Sequence, residues 1–426
     1  MLLALVLSIV FVALLGMPLF IAILAIAMVG FHFADIDLMV IAIDLYRIVQ
    51  TPLLEAIPLF TFAGYLLSAS HSSQRLVRVT QALLGWLPGG LAIVALIACA
   101  LFTAFTGASG VTIVALGALL YPALKQAGYN GRFSLGLVTS SGSLGLLFPP
   151  SLPLILFGVI ALQMEIPVAM SIEDLLVAGL LPGLLMIALL ALWSILGQGG
   201  KTPSTQPFSW QEVSQSIKEA KWEIPLPLIL LGGIYSGIFA LSEAAVVTVI
   251  YLLIVEVWVY KDIKLKQLPE LVSEAMVMVG GILVILASSL VLTSYFIEIE
   301  APTALFDWVT QHIESPLSFL LILNVFLLVL GAFLDIFSAI VIMVPLLLPI
   351  AASFGVHPVH LGIIFLANMQ IGYMTPPVGM NLFIASYRFG KPITEIYRST
   401  IGFMLVLLLA LAVITYWPQL SLVFVS

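Results

Sequence analysis

Two Pro-Pro segments interrupt long apolar stretches, one in each half of this 426-residue chain. The first lies within SSGSLGLLFPPS at Ser140–Ser151, and the second lies within IGYMTPPVGMN at Ile371–Asn381. A broken helix frees backbone N–H and C=O groups, which in hydrocarbon need partners from protein, ions or enclosed water. Both breaks must therefore be surrounded by other helices, and this requirement limits the folds that are open to the chain.

One sequence offset of 227 residues relates the two breaks. The Gly and Pro pairs at that offset are Pro122 and Pro349, Gly128 and Gly355, Gly145 and Gly372, Pro149 and Pro376, and Pro150 and Pro377. Glycine and proline are specific markers of local backbone structure, so chance apolar matching is the weaker interpretation. The offset predicts two structurally repeated halves, and inverted topology is expected because many membrane carriers are built in that way.

The composition places the chain in a membrane. Hydrophobic residues make up 62% of it and charged residues only 8%, with a mean hydropathy of +1.24. In soluble proteins about a quarter of the residues are charged. The composition therefore predicts an all-α polytopic membrane protein. The net charge of −7 and the lack of a basic cluster give no reason to expect a nucleic-acid partner.

The hydrophobic pattern predicts the same plan twice. The first repeat, 1–197, has spans at 2–30 and 52–69, an interfacial helix at 71–86, a hairpin at 91–124, a broken helix at 130–163 and a span at 175–196. After a polar linker at 198–222, the second repeat, 223–426, has spans at 224–260 and 271–297, a hairpin at 317–350, a broken helix at 358–387 and a span at 401–425. For 71–86 a plain loop fits equally well.

The hairpins are inferred from apolar runs that are too long for one crossing. Gly/Ser-rich residues interrupt the first run at Thr106–Gly110, and Gly331–Asp335 interrupts the second. Two half-length helices that meet at each interruption would form re-entrant hairpins. Each hairpin tip would then face the break of its own half and offer hydroxyls, backbone carbonyls and one carboxylate, an oxygen-rich shell suited to a hard cation such as Na+. Half-helix N-termini at the same place would favour a carboxylate substrate.

Structural interpretations stay open for several of these residues. Serines and glycines in membrane helices often serve close packing alone. Asp335 is a functional candidate as an intramembrane carboxylate, although it could instead pair with a neighbouring dipole. Asn368 and Asn381 flank the second break and fit either a packing hydrogen bond or a pocket. Glu256 is expected at a membrane interface.

Enzyme motifs are absent from the sequence. It has no Gly-x-Ser-x-Gly elbow, no His-Glu-x-x-His and no phosphate-binding Gly-Lys-Ser/Thr, and its five histidines form no metal-ligand spacing. We therefore expect a non-enzymatic protein without an organic cofactor, whose transport would take its energy from an ion gradient or from no source at all. A channel is an alternative interpretation, but two matched broken helices favour a carrier that works by alternating access.

The motifs around the two breaks resemble the large membrane subunit (DctM-like) of tripartite ATP-independent periplasmic (TRAP) transporters. The resemblance covers nearly the whole chain and rests on GYN at Gly128–Asn130, GSLGLLFPPS at Gly142–Ser151, HPVHLGII at His357–Ile364 and IGYMTPPVGMNLF at Ile371–Phe383. The chain departs from the family where many members have an acidic residue after the first hairpin tip. Here that region reads GVTIVA from Gly110.

The resemblance implies a Na+-coupled importer of a small organic acid or related solute in a bacterial or archaeal inner membrane, working by an elevator motion. It further implies a small DctQ-like membrane subunit, a DctP-like periplasmic binding protein and surrounding lipid. Since the chain starts at its first span, we expect the small subunit to be a separate chain. The alternative is a stand-alone Na+/anion carrier that needs no binding protein.

The resemblance also assigns site residues. One Na+ site would comprise Ser109, Gly110, Ser141, Ser143 and Gly145, and a second would comprise Gly331, Asp335, Gly372, Thr375 and Gly379. Substrate would lie between the two tips, near Thr106, Ser109, Ser143, Asn368, Thr375 and Asn381.

Overall fold

The structure is a computed structural model, and most of the chain can be described in it. The described ranges are 1–14, 17–47, 55–87, 89–164, 170–196, 207–236, 238–300, 311–313, 315–376 and 378–425. The first residues of the predicted span at 52–69, most of the first half of the predicted linker, and Pro377 of the second break lie outside these ranges.

The described part of the first half is built of helices. They are α1 (Leu2–Leu14), α2 (Leu19–Phe33), α3 (Met39–Arg47), α4 (Ala56–Ala69), α5 (Ser72–Leu84), α6 (Gly90–Thr106), α7 (Ser109–Gln126), α8 (Gly131–Ser141), α9 (Leu152–Leu162), α10 (Ile172–Ala178) and α11 (Leu180–Leu196). A short 3₁₀ turn at Leu144–Leu147 separates α8 from α9. The backbone therefore leaves the helix at the predicted first break.

The second half shows the same order of a hairpin, a broken helix and a long final helix. Its helices are α12 (Trp210–Glu219), α13 (Pro225–Tyr235), α14 (Leu241–Leu253), α15 (Leu268–Glu298), α16 (Pro316–Phe333), α17 (Ile336–Ser353), α18 (Pro358–Gly372), α19 (Met380–Phe389), α20 (Ile393–Tyr416) and α21 (Gln419–Leu422). A π-helical segment, Ile254–Val259, continues α14. Whether the two halves are inverted relative to each other stays a prediction.

Several expected elements differ in the structure, and the 2–30 stretch is divided between α1 and α2. The 224–260 stretch is divided between α13 and α14, because the backbone leaves the helix after Tyr235, close to a glycine and a Ser-Glu helix start. The 401–425 span begins earlier, at Ile393, directly after Pro392. The hairpin arms are 17 or 18 residues long. At 1.5 Å per residue each arm is about 26 Å long, nearly a full crossing rather than a half-length one.

The broken helices lie inside the protein. Within the apolar stretch Gly131–Leu162, which contains the first break, 94% of the residues of the 18-residue apolar core are buried, whereas the corresponding share in α20 is 44%. The first arm of each hairpin packs on its own broken helix, α6 on the 3₁₀ turn and α16 on α18. The second arms pack across the halves, α7 on α19 and α17 on α9. Protein therefore encloses the non-helical backbone, as the sequence requires.

Helices α1–α4 and α13–α15 form a second group. Within this group α4 packs on α14 and α15, and α2 packs on α15. The described residues contain seven apolar stretches long enough to cross a membrane. Amphipathic α5 lies between the groups, because it packs on hairpin arm α6 and on linker helix α12.

A buried ion cluster anchors α5. The Arg75 guanidinium bonds to Glu223, to Glu256 at 3.2 Å and to Asp262 at 2.8 Å. It also stacks 3.9 Å from the Tyr260 ring centroid. Glu256, expected at an interface, is fully buried. The Arg75 guanidinium and the Ser72 hydroxyl, which donates to Glu256 Oε1 at 2.8 Å, stabilise its carboxylate inside the protein, and its depth in the membrane stays a prediction.

Candidate functional site

The first hairpin tip is a two-residue connection between helices. Gly107 ends α6 in the left-handed conformation, with φ of +64°, and its N–H donates to Thr103 O at 2.8 Å. Ser109 then begins α7. No side chain among the described residues caps this helix start. The first-turn amides of α7 are therefore left as hydrogen-bond donors at the positive end of an 18-residue helix.

The first break reaches the first hairpin through glycines. A Cβ at Gly145 would overlap Ala100 O and Ala104 N, and one at Gly142 would lie 3.3 Å from Ser109 O. The chain can approach the hairpin this closely only because these positions carry no side chain. The structure thus places the break at Gly142–Gly145 against the tip at Ser109, as the sequence predicted.

Two threonines that the sequence analysis missed form the polar centre of this contact. Thr103 Oγ1 lies 2.7 Å from Thr112 Oγ1 and 2.8 Å from Gly142 O and from Cys99 O. The Thr103 hydroxyl has one proton and can donate to only one of the two carbonyls. The other carbonyl oxygen therefore faces a lone pair of the hydroxyl oxygen. Three oxygens therefore surround the Thr103 hydroxyl at hydrogen-bond distances. The hydroxyls flank the Thr106–Gly110 tip in sequence, which is the signal that could have revealed them.

The predicted serines are divided between the tip and the neighbouring half. Ser141 Oγ donates to Val138 O of its own helix at 3.3 Å and also has a side-chain hydrogen bond with the Cys99 thiol of α6. Ser143 Oγ donates to Gln370 O in the second break at 3.3 Å. Ser140 Oγ is buried and has no partner among the described residues. The serines therefore lie at the junction of the two breaks rather than in one closed ring of ligands.

The second tip and break meet through backbone. A Cβ on Gly372 would lie 2.6 Å from Gly331 C and Gly331 Cα, so neither glycine can carry a side chain without displacement. Gly379 N donates to Ala332 O at 2.9 Å. The structure therefore brings Gly331, Gly372 and Gly379 together, as expected.

The two side chains predicted for the second Na+ site are used locally. Asp335 caps α17, because its Oδ1 accepts from Ser338 N at 3.0 Å and its Oδ2 accepts from the Ser338 hydroxyl. Thr375 Oγ1 donates to Ile371 O at 3.0 Å. The Tyr373 hydroxyl, which sequence reasoning did not single out, accepts from Ile336 N at 2.6 Å. Each carboxylate oxygen keeps a lone pair free for a further ligand.

Residues at the first tip contact the second broken helix directly. Ser109 Oγ donates to Asn381 Oδ1 at 2.8 Å, which joins the two halves. That bond fixes the amide of Asn381, whose Nδ2 is fully buried and has no partner among the described residues. The Thr106 hydroxyl is also buried without a partner there. Buried donors of this kind indicate a place for a ligand.

Asn368 lies outside this group. Its Nδ2 donates to Asn324 Oδ1 at 2.6 Å and to Ile364 O at 2.8 Å. Asn324 in turn donates to Thr415 Oγ1 at 3.1 Å. The polar network of Asn368 thus connects α18, α16 and α20, away from the residues that gather at the first tip.

A cavity of about 730 Å³ separates the first tip from the second group of helices. Its lining on the hairpin side includes Gly110 and Val111 of α7, and on the other side it includes Tyr65 of α4 and Glu274 of α15. Pockets of this size hold small metabolites. The cavity therefore connects the candidate site to the boundary between the two helix groups.

Comparison with known proteins decides the family. The family described as "Tripartite ATP-independent periplasmic transporter, DctM component" matches residues 2–420. The chain belongs to this family. It is thus a non-enzymatic, multi-pass component of a TRAP transporter in the bacterial inner membrane, and it takes part in secondary solute import.

Individual relatives agree with this assignment. The C4-dicarboxylate TRAP transporter large permease protein DctM of Pseudomonas aeruginosa is 35% identical over 90% of this chain and 88% of its own length. The ectoine/5-hydroxyectoine TRAP transporter large permease protein UehC of Ruegeria pomeroyi is 30% identical over 98% and 96%. The crystal structure of the Alcanivorax borkumensis YdaH transporter matches in fold, with a TM-score of 0.61 at 16% identity over 88% and 89%.

Proposed function

We propose that this TRAP permease subunit couples an inward Na+ gradient to the import of a small organic acid or related solute. The observation that carries the proposal is the first tip, where crowded oxygens around Thr103 lie beside the uncapped start of α7. The oxygens suit a hard cation, and the helix start suits a carboxylate. Binding of the cation would lower the cost of bringing the anion to the same place.

Na+ would be held mainly by oxygen dipoles. In the first half the candidate ligands are Thr103, Thr112 and Gly142, beside the previously predicted Ser109, Gly110, Ser141, Ser143 and Gly145. In the second half they are the backbone at Gly331, Gly372 and Gly379, with Thr375 and the free lone pairs of Asp335 nearby. Unwound backbone carbonyls serve this purpose in other carriers.

Alternating access would come from movement between the two helix groups. The hairpins and broken helices would form the moving domain, and α1–α4 with α13–α15 would form the scaffold. The cavity lies between these groups, as an elevator motion requires. Its scaffold residue Leu271 follows the basic loop Lys261–Lys266 closely, so the cavity faces the cytoplasm if that loop does.

Two partners would complete the system. A periplasmic DctP-like binding protein would deliver the solute, and a DctQ-like small subunit would bind the scaffold. Apolar side chains on scaffold helix α15, including Val277 (74% exposed), would face lipid or that subunit.

The test is uptake into proteoliposomes under an inward Na+ gradient, with this chain alone and with both partners. Uptake that requires all three proteins and Na+ is the expected result. Uptake by this chain alone would favour the stand-alone Na+/anion carrier. Full uptake in a K+ gradient without Na+ would contradict the assignment of Na+ as the coupling ion.

A further inference from the structure

Exposed aromatic side chains gather beside the linker helix α12. The Phe208 ring centroid lies 6.1 Å from that of Trp86 and 5.1 Å from that of Trp210. All three side chains are exposed, and Trp210 is 76% exposed. Single apolar residues are common on protein surfaces, but a contiguous set marks a surface that contacts a partner or a membrane. We call Trp86, Phe208 and Trp210 the aromatic group.

The aromatic group lies where apolar helices begin and end. Trp86 closely precedes hairpin arm α6. A Cβ at Gly89 would lie 3.2 Å from Ile195 Cγ1, so the end of apolar α11 lies at the same level. At the far end of α12, Trp222 precedes apolar α13. The 10 residues of α12, about 15 Å long, therefore connect two points on one boundary of the membrane, where tryptophan is enriched.

Helix α12 has two dissimilar exposed sides. Trp210 and Ile217 are seven residues apart, so they share one side of the helix. Glu212 and Glu219 lie about 200° round the helix axis from them. Both of these carboxylates bond to Arg78 of α5, with 2.9 Å between Arg78 Nε and Glu212 Oε1. The aromatic side can therefore enter a headgroup region without bringing a negative charge with it.

Two lysines next to this side carry positive charge. Lys218 and Lys221 are exposed, and the part of the chain that the structure describes holds no carboxylate partner for either. The basic loop Lys261–Lys266 lies at the same end of the protein, because its Asp262 bonds to Arg75 of α5 at 2.8 Å. An excess of lysine and arginine marks the cytoplasmic side. The lipids of that leaflet carry anionic headgroups, which attract lysines near the surface.

We propose that α12 and the aromatic group anchor the protein in the headgroup region of the cytoplasmic leaflet, and that Lys218 and Lys221 bind anionic phospholipid headgroups there. Trp210 and Ile217 enter the lipid from one side of the helix, as in other helices that lie on a membrane surface. Because Arg78 joins α12 to α5, and α5 packs on α6, the anchor holds the entry to the first hairpin at the membrane surface.

Spin labels on two sides of α12 test the orientation. Cys99 is the chain's single cysteine and is fully buried, so a nitroxide reagent labels an introduced cysteine selectively. Ile217→Cys places the label on the aromatic side, and Gln215→Cys places it about 160° away, also at an exposed position. Each variant, in complex with the small subunit, is reconstituted in nanodiscs of phosphatidylcholine and phosphatidylglycerol. Power saturation measures collisions with O2, which concentrates in lipid, and with nickel ethylenediamine diacetate, which stays in water.

The two labels should respond in opposite ways. We expect the label at position 217 to collide more with O2 than with the nickel complex, and the label at position 215 to show the reverse. A label at position 217 that favours the nickel complex would place this side of α12 in water. Protection of that label from both reagents would show that protein covers it, either the small subunit or a second copy of this chain. Each of these two results would overturn the proposal.

A second measurement tests the headgroup preference. A bimane label at Ile217→Cys is quenched with brominated phosphatidylglycerol or brominated phosphatidylcholine at increasing mole fraction. We expect a preference of about fivefold for phosphatidylglycerol, because one cation near the surface contributes about that factor. Lys218→Gln/Lys221→Gln should remove the preference, whereas Lys264→Gln/Lys266→Gln, which removes the same charge from the basic loop, should keep it. No preference in the labelled parent, or an unchanged preference without the α12 lysines, would overturn the headgroup assignment. Neither measurement depends on transport.

Discussion

The Ser143 hydroxyl donates to the Gln370 carbonyl at 3.3 Å, across a sequence separation of 227 residues. This separation equals the offset that relates the Pro-Pro breaks and the Gly145–Gly372 pair. Residues at equivalent positions of two halves can touch only where the halves meet, close to an axis that relates them. The contact therefore joins the first break to the second broken helix, and the structural repeat itself stays a prediction.

The second tip should not tolerate side chains where its backbone approaches the break. Gly372→Ala would put a Cβ 2.6 Å from the backbone of Gly331. We expect a loss of stability of about 1–3 kcal/mol and a large loss of transport, because the tip must move away. Thermal unfolding of the purified protein and uptake in proteoliposomes measure the two effects.

A matched control for this change lies in the middle of α15. A Cβ at Gly280 would meet no atom within 4 Å. Gly280→Ala should therefore leave stability unchanged or raise it by about 0.5–1 kcal/mol, since glycine is a poor helix residue. Equal behaviour of the two variants would show that the close approach at Gly372 has no structural role.

The Arg75 cluster should be essential for stability. Arg75→Met would leave Glu223 and Glu256, both buried, without their cation. Removing one partner of a buried ion pair costs about 3–5 kcal/mol. Arg78→Met should cost much less, because the Arg78 pairs with Glu212 and Glu219 are more than a third exposed. Unfolding midpoints of the two variants in detergent test this difference, and similar midpoints would refute it.

The same cluster gives a pH dependence. Burial alone would raise the pKa of Asp262, but hydrogen bonds from the His71 amide and the Arg75 guanidinium outweigh it and hold that pKa below its usual range. A depressed folded-state pKa stabilises the protein at pH values above the unfolded pKa of about 4. The stability difference between wild type and Asp262→Asn should thus be constant near neutral pH and shrink as the pH falls below about 4. A difference that grows on acidification would contradict this.

The breaks were predictable from sequence because glycine and proline act locally. Gly107 and the Pro149-Pro150 segment interrupt helices whatever packs around them, so their positions are predictable without tertiary information. The contacts of Glu256 and Thr103 were not predictable in this way. The partner of Glu256, Arg75, is 181 residues away, and the Gly142 carbonyl beside Thr103 is 39 residues away. Such contacts depend on which faces of the helices pack together. An almost uniformly apolar chain has little amphipathic pattern from which those faces could be predicted.

Two substitutions of Asp335 should distinguish a role as a helix cap from a role in ion binding. Asp335→Asn keeps a side-chain oxygen for Ser338 N and should leave thermal stability nearly unchanged. It removes the negative charge, so the Na+ concentration for half-maximal uptake should rise. Asp335→Ala should lose both the cap and the charge, and the lost cap should lower the free energy of unfolding by about 1 kcal/mol. If Na+ activation of Asp335→Asn matches wild type, the carboxylate serves only as a helix cap.

The threonine pair at the first tip should set the affinity for Na+. Thr103→Val keeps the shape of the side chain but removes the hydroxyl that touches Thr112, Gly142 and Cys99. Thr248→Val removes a buried hydroxyl that bonds only to its own helix, at Ala244 O, and serves as the control. We expect the Na+ concentration for half-maximal uptake to rise about tenfold in Thr103→Val, since one lost ligand is worth on the order of 1–2 kcal/mol, and to stay unchanged in the control. If both variants respond to Na+ as wild type does, the oxygens around Thr103 serve helix packing, and the coupling ion binds elsewhere.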